Sequence, residues 1–307
     1  MKFWVGVTDN DWYAFLARRG LDEVNFWQPS ATPPFANAPV GMPFLFKLKR
    51  PNNHIAGGGF FVTYSTLPLS LAWEVFGEKN GAATLEDLKR ILGPLIGNRG
   101  DGEIGCTVLA NPFFLEKSAW LVDPAGWAPN IVRGKMYDAE SRDGVAIWDA
   151  VLGRLRSDRR IERQTELAIA DGREKYGEPV LVKPRLGQAS FRVLVTDAYK
   201  RRCAITGEST LLALEAAHII PYSTEGTHDV RNGLLLRADF HRLFDVGLVG
   251  VTPDLRIKIS PRIREAYFNG QAYYRMNDQK LSVVPDCSEL RPDPDRLAWH
   301  MNNRFQA

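Results

Sequence analysis

Residues 216–245, AAHIIPYSTEGTHDVRNGLLLRADFHRLFD, decide how the second half of the chain folds. The run from Ala216 to Pro221 is apolar and favours a β-strand, which must end at the proline because proline cannot donate to a ladder. A turn-rich loop follows. A second short apolar run, residues 233–236, and a helix-like stretch that closes at Asp245 come next. The segment therefore predicts a strand, a loop, a second strand and a helix.

Three polar residues of this segment are His218, Asn232 and His241, with thirteen and eight residues between them. In this spacing, and in the flanking stretches LEAAHIIP and NGLLL, the segment resembles the ββα-metal site of the HNH endonucleases. The resemblance implies that His218 takes a proton from water, Asn232 braces the loop and His241 binds a divalent cation. Such a site needs only one imidazole base and one cation that neutralises charge building on the phosphate.

The remaining metal ligands are not set by the motif. Many HNH endonucleases carry Asp or His immediately before the base histidine, and this chain has Ala217 there. Asp245 is the first candidate, because His241 and Asp245 are i and i+4 and lie about 5 to 6 Å apart at their β-carbons on a helix. Glu215 is the second, since residues 215 and 217 point to the same side of a strand. Imidazole and carboxylate ligands suit Mg2+ or Mn2+, with Ni2+ also suited in vitro.

The three cysteines, Cys106, Cys203 and Cys287, are too widely spaced for a disulfide framework, and none lies in a CxxC pair. Many HNH relatives have a second cysteine three residues after the one at position 203 and bind structural zinc, whereas this chain has Thr206. We therefore expect no structural zinc, and we expect Cys203 to be a small buried residue.

Charge is spread unevenly along the 307 residues, whose formal net charge is +3. Residues 151–202 contain thirteen Lys or Arg and seven Asp or Glu, so the rest of the chain is slightly acidic. A basic segment upstream of a phosphodiesterase motif fits a strip that contacts DNA phosphates, and a solvated amphipathic helix explains it equally well. The phosphate contacts that we predict are Arg201, Arg202 and, in the loop between the two strands, His228.

The composition, 45% apolar and 24% charged residues, is that of a globular protein. No apolar run approaches the roughly 20 residues that span a bilayer. The opening MKFWVGV is too short for a signal peptide and runs directly into polar residues. We therefore expect a cytoplasmic protein with no membrane partner.

Three regions differ in composition and in their pattern of apolar residues, and together they predict an α+β protein with two domains. Residues 1–145 are rich in aromatics and short β-like runs, broken by Pro and Gly turns. Residues 146–185 are predicted to be a basic helical linker. Residues 186–307 are predicted to be the HNH endonuclease domain, and they open with a helix over residues 190–199.

We expect the first region to be a curled β-sheet with helices, or a small barrel. Its predicted helices are residues 11–19, 69–76 and 84–92. In the third helix Thr84 is a good N-cap, with Asp87 three residues later. The predicted strands are residues 3–7, 44–48, 58–62, 106–109 and 120–122.

This first region resembles the EVE and YTH branch of the PUA-like superfamily in three stretches. These are the opening FWVGV with its polar turn TDNDW, the aromatic VNFWQPS, and the strand pair GMPFLFKLKRPNNHIAGGGFFV. Members of that branch hold a flipped, modified base between aromatic side chains, which replace the stacking that the base has lost. The resemblance implies a cage walled by Trp27 and Trp73, with Asn10 and Asp11 placed to bond the base edge. A core role is the alternative for both tryptophans.

An EVE-like reader joined to an HNH endonuclease is the layout of modification-dependent restriction endonucleases, which cut double-stranded DNA carrying 5-methylcytosine or a related base. The resemblance implies this function for the chain. Cutting both strands with one active site per chain requires a homodimer or sequential nicks. Two alternatives stay open: a defence nuclease gated by a small ligand in the aromatic pocket, and a DNA-binding reader whose nuclease half is inert.

Overall fold

A computed structural model describes residues 1–30, 32–33, 38–96, 102–124, 126–157, 186–224, 226–268 and 270–307. The chain divides into two compact units, unit 1 at Met1–Gly187 and unit 2 at Gln188–Ala307. The predicted boundary at residue 145 falls inside a helix, and residues 158–185 of the predicted linker lie outside the described ranges. Across the described parts, no helix combines the length and apolar character needed to cross a membrane.

Unit 1 is an α+β unit built on one seven-stranded sheet. Its strands are β1 (Lys2–Thr8), β2 (Glu23–Gln28), β3 (Pro43–Leu48), β4 (His54–Pro68), β5 (Glu103–Phe114), β6 (Leu121–Val122) and β7 (Gly134–Asp138). They lie in the order β2-β5-β4-β3-β1-β7, with β6 paired to β4. β1 and β3 run parallel, and the other recorded pairs are antiparallel.

Each predicted strand overlaps an observed one, but β2 and β7 were not predicted. Residues Glu23 to Phe26 alternate between polar and apolar, but all four are buried, so β2 is not the half-buried strand that this alternation usually marks. Two of its polar members have partners from a distant segment: Glu23 pairs with Lys79, and Asn25 Nδ2 donates to Asn80 Oδ1. The strand is therefore fixed by contacts that are distant in sequence.

Four helices of unit 1 are described: α1 (Asn10–Leu16), α2 (Leu69–Phe76), α3 (Leu85–Ile96) and α4 (Arg142–Ser157). Asp9 caps α1, since its carboxylate accepts from the backbone of Asp11 and Trp12, so this helix begins one residue earlier than predicted. The predicted cap of α3 is confirmed, because Thr84 Oγ1 accepts from the Asp87 N–H at 3.1 Å. Trp12 and the aromatic side chains of β2 and β3 form much of the core.

Unit 2 consists of two β-hairpins and five helices within the described ranges. Its core joins both hairpins to the buried faces of the helices. The predicted strand, loop, strand and helix are confirmed, and the helix predicted at 190–199 is observed one or two residues earlier. The elements are α5 (Gln188–Ala198), β8 (Leu214–His218), β9 (Gly233–Arg237), α6 (Ala238–Asp245), β10 (Val249–Val251), β11 (Ile257–Ile259), α7 (Arg262–Tyr267), α8 (Gln271–Tyr274) and α9 (Pro294–Asn303).

Candidate active site

The β8–β9 hairpin and α6 form the frame of the candidate site. The strands pair antiparallel, with His218 opposite Gly233, and α6 follows β9 without a connecting loop. Phe240 and Phe244 bury one face of α6 in the core of unit 2. His241 follows Phe240 directly, so it lies beside the buried face and leaves its ring partly accessible.

Gly233 is required where α5 crosses the hairpin. A β-carbon at this position would lie 2.4 Å from Val195 and 3.1 Å from the ring of Phe191, which are both buried side chains of α5. Glycine therefore lets the helix approach the strand closely. This approach brings the Phe191 ring next to the imidazole of His218.

Asn232 is fully buried, and its side chain bonds the loop at both ends. Its Oδ1 accepts from the Ile220 N–H at 2.9 Å, and its Nδ2 donates to the carbonyls of Ile220 at 2.9 Å and Thr227 at 3.1 Å. After β8 the side-chain amide of Asn232 takes the place of backbone hydrogen bonds between the strands. It therefore holds the loop closed. The loop-bracing role that the HNH resemblance implies thus has a matching geometry.

The imidazole of His218 is stacked on Phe191, with ring centroids 3.9 Å apart and an interplanar angle of 10°. Its Nε2 lies 3.2 Å from Nδ1 of His228. Burial, followed by the nearby His228 and His241, lowers the pKa of His218 from 6.5 to about 4. The ring is therefore neutral at physiological pH, and it has a lone pair that can take a proton.

His241 lies between two carboxylates. Its Nδ1 is 2.7 Å from Glu215 Oε2, and its Nε2 is 3.3 Å from Asp245 Oδ2. Burial raises the pKa of Asp245, and the Glu215 carboxylate raises it further, while His241 and Arg304 act in the opposite direction. A carboxylate that holds one ring nitrogen of a histidine leaves the other nitrogen for a metal, which is the usual arrangement in metalloproteins.

The donors at this point suit a hard divalent cation that keeps much of its water. His241 Nε2 and one Asp245 oxygen can share an ion, and Mg2+ commonly takes one or two protein ligands with waters and phosphate oxygens in the remaining positions. Among the described residues, no group of three or more His, Cys, Asp or Glu side chains is arranged to hold a metal by itself. The residues fit a cation completed by water and DNA, and do not form a closed structural site.

Cys203 is buried and carries no disulfide. Its sulfur lies 3.4 Å from the backbone nitrogen of Thr206 and 3.3 Å from that of Arg237, which positions it as an acceptor for both. The side chain thus tethers the turn after α5 to the end of β9. The prediction that Cys203 is a small buried residue is confirmed.

The predicted phosphate contacts have different surroundings. Arg201 lies 3.8 Å from Asp197, and Arg202 donates from Nε to the Gly207 carbonyl at 3.2 Å. His228 instead contacts the candidate base directly. All three residues stay predictions as phosphate contacts.

Two of the four predicted base-recognition residues of unit 1 bond backbone carbonyls of that unit. The indole N–H of Trp27 donates to the Asn80 carbonyl at 2.9 Å, and Asn10 Nδ2 donates to the Arg50 carbonyl at 3.2 Å. Trp73 lies partly buried in α2, and Asp11 is exposed in the first turn of α1. Among the described residues, no recorded hydrogen bond or ring contact joins any two of Trp27, Trp73, Asn10 and Asp11.

Two neighbours of the candidate base were not predicted. Phe191 of α5 stacks on His218 itself. Tyr222 stacks on His228, the partner of His218, with ring centroids 4.4 Å apart and an interplanar angle of 11°. Phe191 is far from the motif in sequence, so only the packing of α5 reveals it. Tyr222 follows Pro221 within the predicted loop. An aromatic residue among turn-forming residues was the one sequence signal that this side chain packs against a neighbour.

Comparison with known proteins identifies one part of the chain. Residues 203–252 match the family model described as HNH endonuclease, so the chain contains an HNH endonuclease domain. This range includes the hairpin, the braced loop and α6. The match therefore supports a nuclease on the same elements that hold the candidate site.

Solved structures give weaker likenesses, and no curated protein matches the chain. Two mutant forms of the ZmASCH protein from Zymomonas mobilis are 8% identical, with TM-scores of 0.32 and 0.31, and cover 48% of this chain and 97% and 95% of that protein. A structure of the modification-dependent TagI restriction endonuclease is 13% identical with a TM-score of 0.29, and covers 96% of this chain and 80% of that one.

Proposed function

We propose that the chain is a metal-dependent DNA endonuclease in which His218 is the general base. The observation that carries this proposal is the neutral imidazole of His218 on the same ββα frame as the His241–Asp245 pair, inside the range that matches the HNH endonuclease family. Hydrolysis of a phosphodiester needs a proton acceptor for water and positive charge near the phosphate. The frame offers a residue for each task.

Two histidines have separate tasks in this reaction: His218 acts on the attacking water, and His241 would bind the cation. His218 accepts the proton of the attacking water, because its ring is neutral and stacked in one orientation on Phe191. Asn232 fixes the loop that starts two residues after His218. Base and loop thus keep their geometry without a bound substrate, which lowers the reorganisation that the reaction requires.

His241 and Asp245 would hold the divalent cation, and Glu215 orients the His241 ring by its bond to Nδ1. When bound, Mg2+ or Mn2+ stabilises negative charge on the phosphate and on the leaving oxygen. Burial raises the pKa of Asp245 and so disfavours its ionised form, and a bound cation would stabilise that form. The donor chemistry thus supports Mg2+ or Mn2+, with Ni2+ as an in vitro substitute.

We also propose that unit 1 selects double-stranded DNA that carries 5-methylcytosine or a related base. The support is the resemblance of its sequence to EVE and YTH readers, with Trp27 and Trp73 as cage walls and Asn10 and Asp11 at the base edge. Trp27 is held in a fixed orientation by its bond to Asn80, which is a property that a stacking wall needs.

Matched plasmids test both proposals together. Plain and cytosine-methylated plasmids are incubated with the chain and Mg2+ or Mn2+, with EDTA as the control. We expect metal-dependent cleavage of the methylated plasmid and much slower cleavage of the plain one. Equal cleavage of both would reject base selection and keep the nuclease. No cleavage of either, by folded protein, would reject the nuclease.

A further inference from the structure

Four aromatic rings form a continuous row through the candidate site. Phe191 stacks on His218 at 3.9 Å, His218 bonds His228 at 3.2 Å, and Tyr222 stacks on His228 at 4.4 Å. The Phe191 ring also lies within 5.8 Å of His228. Each imidazole is thus covered on one face by another aromatic ring, and the two imidazoles are bonded to each other at their edges.

The bond between the histidines restricts where each ring carries its hydrogen. If His218 Nε2 donates, His228 Nδ1 accepts, and the lone pair of His218 lies on Nδ1. If His228 Nδ1 donates, His218 Nε2 accepts, and the hydrogen of a neutral His218 must lie on Nδ1. In the second arrangement the only lone pair of His218 is already used, so that ring cannot accept a proton from water.

We propose that His228 is a positioning residue: as a hydrogen-bond acceptor it holds His218 in the tautomer whose lone pair is on Nδ1. This inference rests on the proposed function, in which His218 is the base. His228 touches neither water nor phosphate in this role and acts only through His218. The arrangement parallels the way an acceptor fixes the tautomer of a catalytic histidine in hydrolytic triads.

The loop brace supports this role because it fixes both histidines at once. Asn232 bonds Ile220, two residues after His218, and Thr227, immediately before His228. The ring of Tyr222, at the start of the same loop, then covers His228. A side chain that only contacted phosphate would not need these restraints.

Two substitutions separate the acceptor from the ring. His228→Asn places an amide oxygen where Nδ1 lies and removes the ring, whereas His228→Phe keeps the ring and its stacking but has no acceptor. If His228 fixes the tautomer, we expect the Asn variant to keep kcat within about tenfold, the scale of one weakened hydrogen bond. The Phe variant should lose about 10^2-fold or more, as expected when a general base is disabled.

The other roles of His228 predict different kinetics. A phosphate contact would raise KM in both variants and leave kcat near the wild-type value. A purely structural ring would favour the Phe variant over the Asn variant in both kcat and melting temperature. Either pattern would overturn the positioning role, and circular dichroism and melting temperature show whether each variant is folded.

A measurement on the wild-type chain needs no variant to fold. In long-range 1H–15N spectra of the full chain with labelled histidine, protonated and unprotonated ring nitrogens have distinct shifts, and the His218 signals are those missing in His218→Gln. We expect a proton on Nε2 and none on Nδ1. The reverse assignment overturns the proposal. If the wild-type chain cuts no DNA, the proposed function fails, and these spectra still decide the tautomer.

Discussion

The candidate histidines of unit 2 contact other titratable side chains, whereas Trp27 and Asn10 of unit 1 donate to backbone carbonyls. His218 bonds His228 through their ring nitrogens, and His241 has a carboxylate at each ring nitrogen. In unit 1, the Trp27 indole donates to the Asn80 carbonyl. Titratable side chains that contact each other influence each other's protonation, which catalysis uses, while a bond to a carbonyl fixes orientation. The difference favours chemistry in unit 2, which also contains the HNH endonuclease domain.

The largest expected effect is that of His218→Ala. We expect kcat to fall by about 10^2- to 10^4-fold, because the general base is lost. The dissociation constant for DNA should hardly change, since the imidazole moves a proton and does not anchor the duplex. His54→Ala in unit 1 is the matched control and should cut at the wild-type rate. Cleavage by His218→Ala at near wild-type speed would show that the base is another residue.

The next largest effect is expected from substitutions at the candidate metal ligands. Asp245→Ala should raise the Mg2+ concentration for half-maximal activity by roughly 10- to 100-fold, the range seen when metal-site residues or their partners are lost. Glu215→Gln should have a smaller effect, because its amide oxygen still accepts from His241 Nδ1. If Glu215→Gln matches Asp245→Ala in Mg2+ titrations, Glu215 is itself a ligand and takes the place left by Ala217.

The frame of the active site was predictable because its determinants are local. β8 ends at His218, three residues before Pro221, a short apolar run forms β9, and α6 begins directly after it, all within about thirty residues. The bond of His241 to Glu215 was harder to predict, since it depends on the register of β8 against β9 and on the rotation of α6. The sequence spacing indicated Asp245 and Glu215 as candidate ligands. Only the structure shows that the two carboxylates contact different ring nitrogens of His241.

Other contacts could not be predicted, because packing between distant segments creates them. Phe191 reaches His218 only because Gly233 admits α5 at close range. The bond between His228 and His218 was not predicted, since a loop histidine between turn residues has no local signal for a side-chain partner. In unit 1, β2 was missed because its buried polar side chains find partners in distant segments, such as Asn80 for Asn25.

A smaller effect is expected in unit 1, at Trp27. If its ring is a cage wall, Trp27→Ala should cost about 1 to 3 kcal/mol of stacking on the flipped base, and the preference for methylated over plain DNA should fall. Trp27→Phe keeps a ring face and loses the bond to Asn80, so most of the preference should remain. Affinities for matched oligonucleotides measure both. A lower melting temperature with an unchanged preference would make Trp27 a core residue.

The smallest expected effect is a difference between the two units in how their thermal stability depends on pH. His300 is buried against Phe244, with centroids 3.7 Å apart, and burial lowers its pKa from 6.5 to about 4. Its Nε2 lies 3.0 Å from the Phe244 carbonyl, and its Nδ1 is buried with no partner among the described residues, so a second proton would have no acceptor. His218 has the same lowered pKa.

Because the folded-state pKa lies below that of the unfolded chain, the unfolded state binds more protons between about pH 6.5 and pH 4. The stabilisation is complete above this window and is lost as the pH falls through it. His218 and His300, whose pKa values are lowered, both lie in unit 2, so the melting temperature of unit 2 should fall by a few degrees at a pH where that of unit 1 is still unchanged. Differential scanning calorimetry at several pH values measures this difference. His300→Gln can still donate to Phe244 but does not titrate, so the pH dependence of unit 2 should become shallower. An unchanged slope in that variant would show that other groups govern the acid sensitivity of unit 2.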